Sequence, residues 1–122
     1  MKKLLILAAA LALTPVSFAA NPAAAAQTMK GEILDMACYM GHGAKGPKHA
    51  GCAKGCVAAG APMGLLSESG TVYLLVENHA DKKAKKAYNA AKDLAGSKAS
   101  VTGSVVTRGG IQAIVVNSVS KA

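Results

Sequence analysis

The alternation of apolar and polar residues in "TMKGEILDM", Thr28 to Met36, predicts a first strand, with Ile33 and Leu34 followed by Asp35. The next stretch, "ACYMGHGAKGPKHAGCAKGCVAAGAPMG", carries few large apolar side chains and is dense in Gly, Ala, Cys and His. An oily core alone cannot order it. Within it "PKHAGCAKGCVAAG" suits a short helix, with Pro47 in the first turn and Gly60 at its end. Gly51 and Gly55 weaken that helix by about 1 kcal/mol each relative to alanine, so another interaction must hold it.

Two short apolar runs follow, "MGLLS" and "TVYLLVE", separated by the turn signal "ESG". "ADKKAKKAYNAAKDLAGS" then places Ala80, Ala84, Ala87, Tyr88, Ala91 and Ala95 at helical spacing, with Lys82, Lys83, Lys86 and Asp93 largely elsewhere and Gly96 as the stop. The lysine run is read as a solvated helix face. The chain closes on "SVTGSVVT" and "IQAIVVNSVS", β-rich runs flanking "RGG", whose paired glycines suit a hairpin turn needing positive φ. Five short strands with a helix before the fourth form the order of a small OB-like barrel, a mainly β (α+β) fold with a Cys/His-rich helical insertion after strand 1. An α+β sandwich with the same strand count is the alternative.

The first residues change the boundaries. "MKKLLILAAALALTPVSFA" has two lysines, an apolar run and small residues before a cut, the layout of a secretory signal peptide over residues 1–19, with a second candidate cut after Ala26. Residues 20–27 read as a linker and 28–122 as a single domain. The apolar run is shorter than the roughly 20 residues of a membrane-crossing helix, so no membrane anchor is expected after cleavage, and the destination is periplasmic. The net charge of +8 falls to +6 once Lys2 and Lys3 leave with the signal. Export and the scarcity of aromatic residues argue against a nucleic-acid partner, and the charge is read as solubility.

Composition brings in the chemistry. The chain has three cysteines, an odd number, in a protein expected in an oxidising compartment. On a helix His49, Cys52 and Cys56 fall at i, i+3 and i+7, within an arc of roughly 60° at about 100° per residue. Cys38 stands across the loop "GHGAKG", able to fold back as a fourth donor. Cys38, His49, Cys52 and Cys56 thus make a candidate Cys3His site for Zn(II) or Cu(I), since thiolate and imidazole select against Mg(II) and Ca(II). Met36, Met40 and Met63 lie in or beside the segment, and thioethers would tilt the choice toward copper. His42 is an accessory donor, and Asp35 is the nearby acid able to orient a metal-bound imidazole.

The competing reading is a disulfide from Cys38 to Cys52 or Cys56. Such a staple contributes about 2–4 kcal/mol and would give a binding module with one free thiol. The thioredoxin-type C-x-x-C and the C-x-x-C-H signature of covalent haem are both absent from the sequence. No serine nucleophile elbow and no glycine-rich phosphate loop ahead of a helix is present, so no nucleotide is expected, and a thiol-based redox enzyme ranks last behind the two non-enzymatic readings.

The segments "GEILDMACYM", "HAGCAKGCVAAGAPMGLL" and "VTGSVVTRGGIQAIVV" resemble a group of small exported bacterial proteins that share D-x-x-C-Y, H-x-x-C-A-x-x-C and G-x-P-x-G-L-L ahead of a β-rich end. The match carries Asp35, Cys38, Tyr39, His49, Cys52, Cys56, Gly60, Pro62, Gly64, Leu65 and Leu66. The resemblance implies an exported location and a Cys/His site without supplying an activity. The partner expected is a metal ion, with another periplasmic protein as its source or destination left open.

Overall fold

The computed structural model describes residues 25–122. The expected signal peptide lies outside them. The elements run β1 (Ala26–Asp35), α1 (Met36–His42), a 3₁₀ turn (Pro47–His49) leading into α2 (Ala50–Ala58), β2 (Met63–Ser67), β3 (Val72–Glu77), α3 (Lys82–Ala90) with a 3₁₀ extension (Ala91–Leu94), β4 (Lys98–Arg108) and β5 (Ile111–Lys121). The strands close into a barrel in the order β1-β2-β3-β5-β4, with the β3–β5 pair parallel and the others antiparallel. This is the five-stranded OB-like barrel expected from the sequence, including the helix before the fourth strand. The first strand starts at Ala26, two residues before the alternation begins. Its extra residues pair with β4, where Ala26 faces Ser104 and Gln27 faces Gly103.

Barrel closure depends on β1 serving two neighbours. Its first part pairs with β4 and its last part with β2, and Gly31 faces both Ala99 and Ser67. A side chain on Gly31 would run into the Leu66 carbonyl, so the absence of a Cβ lets the two strands approach at the changeover. Gly103 does the same on β4, at a register shift between Thr102 and Gly103 where its backbone lies against the Val115 carbonyl.

The core is aliphatic: Ile33, Met63, Leu65, Leu75, Val101, Ile114 and Val116 line the barrel interior, and Ala91, Ala95 and Ala99 bring in the α3 corner. Of the residues expected on the inner face of the fourth-strand helix, Ala84, Ala91 and Ala95 are fully buried and Ala87 and Tyr88 half-buried, whereas Ala80 lies exposed ahead of the helix; Lys82, Lys83 and Lys86 are exposed as expected. Asp81 caps α3 by accepting from the N–H groups of Lys83 and Ala84. No helix among the described residues is long and apolar enough to cross a membrane.

The insertion after β1 differs in detail from the expected single helix. It contains two helices, because Asp35 stops β1 and caps α1: its Oδ1 accepts from Ala37 N at 2.9 Å and Cys38 N at 3.4 Å. The Gly43 N–H closes the other end of α1 on the Tyr39 carbonyl at 2.8 Å. The loop beyond is tied to the barrel by Glu32, whose Oε1 accepts from Gly46 N. The second helix turns Ala53 and Val57 inward onto the core, an i, i+4 pair that anchors it across the barrel end. Met36 N donates to the Pro62 carbonyl at 3.0 Å, so the entry and exit of the insertion are joined.

Candidate metal centre

The same i, i+4 spacing that buries Ala53 and Val57 sets Cys52 and Cys56 one residue round the helix, on the flank that looks toward the β1–α1 junction. Their sulfurs are 3.9 Å apart. Cys38 enters from α1, two residues past its start, and its Sγ, Cys52 Sγ and Cys56 Sγ all lie within 4.8 Å of one another. All three thiols are free, Cys52 exposed and Cys38 and Cys56 half-buried. Metal-bound sulfurs about 2.3 Å from a common ion stand about 3.8 Å apart in a tetrahedron and about 4.0 Å apart in a trigonal plane. The Cys52–Cys56 separation matches that spacing, whereas a disulfide needs about 2.05 Å. These residues form a cysteine cluster able to hold a metal ion.

His49 is positioned differently from the expectation of one shared helix face. It lies in the 3₁₀ turn and occupies the N-cap position of α2, without a side-chain capping bond, rather than forming its first turn. His49 does not group with Cys52 and Cys56. The imidazole instead joins Cys38 and Asp35, whose donor atoms lie within 4.8 Å of one another. Two groups of donors therefore meet at Cys38: the sulfur trio on one side, and Asp35 with His49 on the other.

Two atoms in the second group are out of water and without partners. Asp35 is 1 % exposed, and while Oδ1 caps α1, Oδ2 accepts no hydrogen bond. His49 Nε2 is likewise buried and unpartnered. A buried polar atom normally finds a partner, and leaving one unmade costs about 1–3 kcal/mol. Burial by itself would raise the Asp35 carboxyl, but the neighbouring thiols of Cys38 and Cys56 and the Cys38 and Ala37 amides outweigh it and hold the group below its ordinary value. Neither thiol has the geometry of a formed hydrogen bond on Oδ2 in this structure. The effect is reciprocal. The Asp35 carboxylate, with help from burial, pushes the Cys38 thiol up to about 12, and Asp35 followed by Cys52 raises Cys56. In the metal-free cluster the raised thiols of Cys38 and Cys56 hold their protons beside one carboxylate, and an entering cation must displace those protons.

The accessory donors are not drawn in. Met40 is 71 % exposed and stands two residues from Cys38 on α1, about 200° round the helix. Met63 is a fully buried core residue, and the Met36 thioether packs over Gly64. The thioethers therefore serve packing or solvent and leave the copper preference without support. His42 is exposed at the end of α1, one turn from Cys38, and belongs to neither donor group. His79 is exposed and pairs with Glu77 at 3.0 Å.

The helix cap at Asp35 was the feature hidden in the sequence. An Asp followed by a seven-residue segment and Gly43 is a helix start and stop, but α1 buries no residue and so lacks the apolar stripe that reveals a helix. Fold and site together define a mainly β, OB-like barrel with a cysteine cluster able to hold a metal ion on a helical insertion. Compared with family models, curated proteins and solved structures, the chain matches none of them.

Proposed function

We propose that this is an exported, periplasmic metal-binding protein of the group it resembles in sequence, holding Zn(II) or Cu(I) through the thiolates of Cys38, Cys52 and Cys56. The observation that carries the reading is the convergence of all three sulfurs. A disulfide from Cys38 to Cys52 or Cys56 would use only two of the sulfurs, whereas an ion ligated by three thiolates uses all of them.

Three protein ligands leave a fourth position of a tetrahedral ion open, as in sites that exchange a ligand rather than closed structural sites. Cys52 sits at the exposed edge of the trio, accessible to an incoming ligand from another periplasmic protein. The proposed function is metal handling, with the open position as the point of transfer. His49, expected as the fourth donor, belongs to the centre through its neighbourhood with Cys38. Coordination also meets the structural need of the insertion, whose second helix contains Gly51 and Gly55 and is anchored by only two buried side chains.

The test is the metal content and free-thiol count of the protein purified from the periplasm without chelator. Stoichiometric zinc or copper, released together with three titratable thiols, is the expected result. Metal-free protein with a single titratable thiol would overturn the reading in favour of a disulfide-stapled module.

A further inference from the structure

We propose that the centre is binuclear, with a second divalent ion of Zn(II)-like softness held by Asp35 Oδ2, Cys38 Sγ and His49 Nε2, and with the Cys38 thiolate shared between the two ions. This rests on the sulfur trio being a metal site.

Geometry is the first support. Cys38 is common to both donor groups, and the second group contains one oxygen, one sulfur and one nitrogen donor within 4.8 Å of one another. Each is of a type that Zn(II) accepts. The second support is the state of the two atoms. Asp35 Oδ1 is fixed by the Ala37 and Cys38 amides, which orients the carboxylate and leaves Oδ2 as a monodentate donor. Oδ2 and His49 Nε2 are the buried side-chain polar atoms without partners among the described residues. Their shared neighbour is Cys38. A cation there would satisfy both at once.

Charge gives a third and independent support, and it selects the ion class. Three thiolates around one divalent ion leave a net negative charge, and the buried carboxylate of Asp35 adds another beside it. Like charges in a poorly solvated cluster repel strongly. No lysine or arginine pairs with Asp35, since the ion pairs among the described residues are at Glu77, and Lys45, Lys48 and Lys54 of the insertion are exposed. Four negative ligands against two divalent cations leave the centre neutral, whereas two Cu(I) ions would leave it doubly negative. Loading releases thiol protons to the buffer as the ions enter.

The experiment is a Zn(II) titration of the reduced, chelator-stripped full chain as exported, with bound ions counted by native mass spectrometry and Co(II) used in parallel as a spectroscopic probe. The wild type is expected to take two ions. His49→Ala and Asp35→Asn are each expected to take one, and to keep the sulfur-to-cobalt charge-transfer band of the trio. Asn retains the capping oxygen at position 35, and circular dichroism checks that each variant is folded. If Asp35→Asn does not fold, His49→Ala carries the test alone, since Nε2 makes no hydrogen bond that its loss would break. Saturation of the wild type at one ion, with the trio's cobalt band, overturns the second subsite and leaves the first reading intact. No bound ion overturns both. Two ions in both folded variants overturn the assignment of Asp35 and His49.

Discussion

Replacing Gly55 and Gly51 by alanine tests whether α2 is the weak element that its composition implies. Both glycines are exposed, neither has a positive φ, and a Cβ built on either meets nothing within 4 Å. No steric cost therefore offsets the gain in helix propensity and the reduced freedom of the unfolded chain. Gly55 lies in the helix interior, where the gain is about 1 kcal/mol. Gly51 is in the first turn of α2, where fewer helical bonds depend on it, so about half that is expected. The double variant should be more stable by about 1.5 kcal/mol, which for a domain of this size raises Tm by about 6–12 °C. The assay is urea and thermal unfolding of the metal-free, reduced protein, followed by circular dichroism. An unchanged or lowered midpoint would refute the reasoning, because it would mean that the exposed face of α2 requires glycine for something other than helix formation.

Val57→Ala removes two methyl groups from a fully buried position that anchors α2, and should cost about 1–3 kcal/mol and weaken metal binding, checked by urea unfolding and a competitive zinc titration. Gly103→Ala places a methyl group against the Val115 carbonyl and the Ile114 side chain, and should cost at least about 1–3 kcal/mol with no direct effect on the cysteines, separable by alkylation rates in the folded protein. The Cys38 thiol, ordinarily near 9.0, is pushed up to about 12 by Asp35. In the metal-free protein this contribution to stability is therefore complete below about pH 9, where the unfolded thiol is also protonated, and is lost as pH rises toward 12. Cys38→Ser should flatten that alkaline slope in unfolding curves recorded from pH 8 to 11. For the same reason metal affinity should fall as pH falls, with protons released on binding measurable in a weakly buffered titration.

The barrel was readable from sequence because its strands obey simple rules. The runs "MGLLS" and "TVYLLVE" became β2 and β3, and Gly109-Gly110, both at positive φ, form the turn between β4 and β5. Cys38, Cys52 and Cys56 were also identifiable, the latter two because i, i+4 spacing on a helix is a local relation. His49 groups with Asp35 and Cys38 and not with the cysteines of α2, because it stands at the N-cap of α2, ahead of the helix, beside the end of β1 and the start of α1. The first helix and the capping role of Asp35 were hidden because α1 has no buried stripe and declares itself only through its ends.

The sequence by itself determined the strand order, the fourth-strand helix, the odd number of thiols and the i, i+4 pair of cysteines, all of which follow from local periodicity and residue chemistry. Only the tertiary structure decided that α1 returns Cys38 to the flank of α2, and that Asp35 and His49 meet Cys38 with a buried atom of each left unpaired. Those are relations between elements distant along the chain. They arise because closure of the barrel joins the end of β1 to the start of β2 and packs Ala53 and Val57 over the core, and no local pattern encodes what that packing brings against the flank of α2.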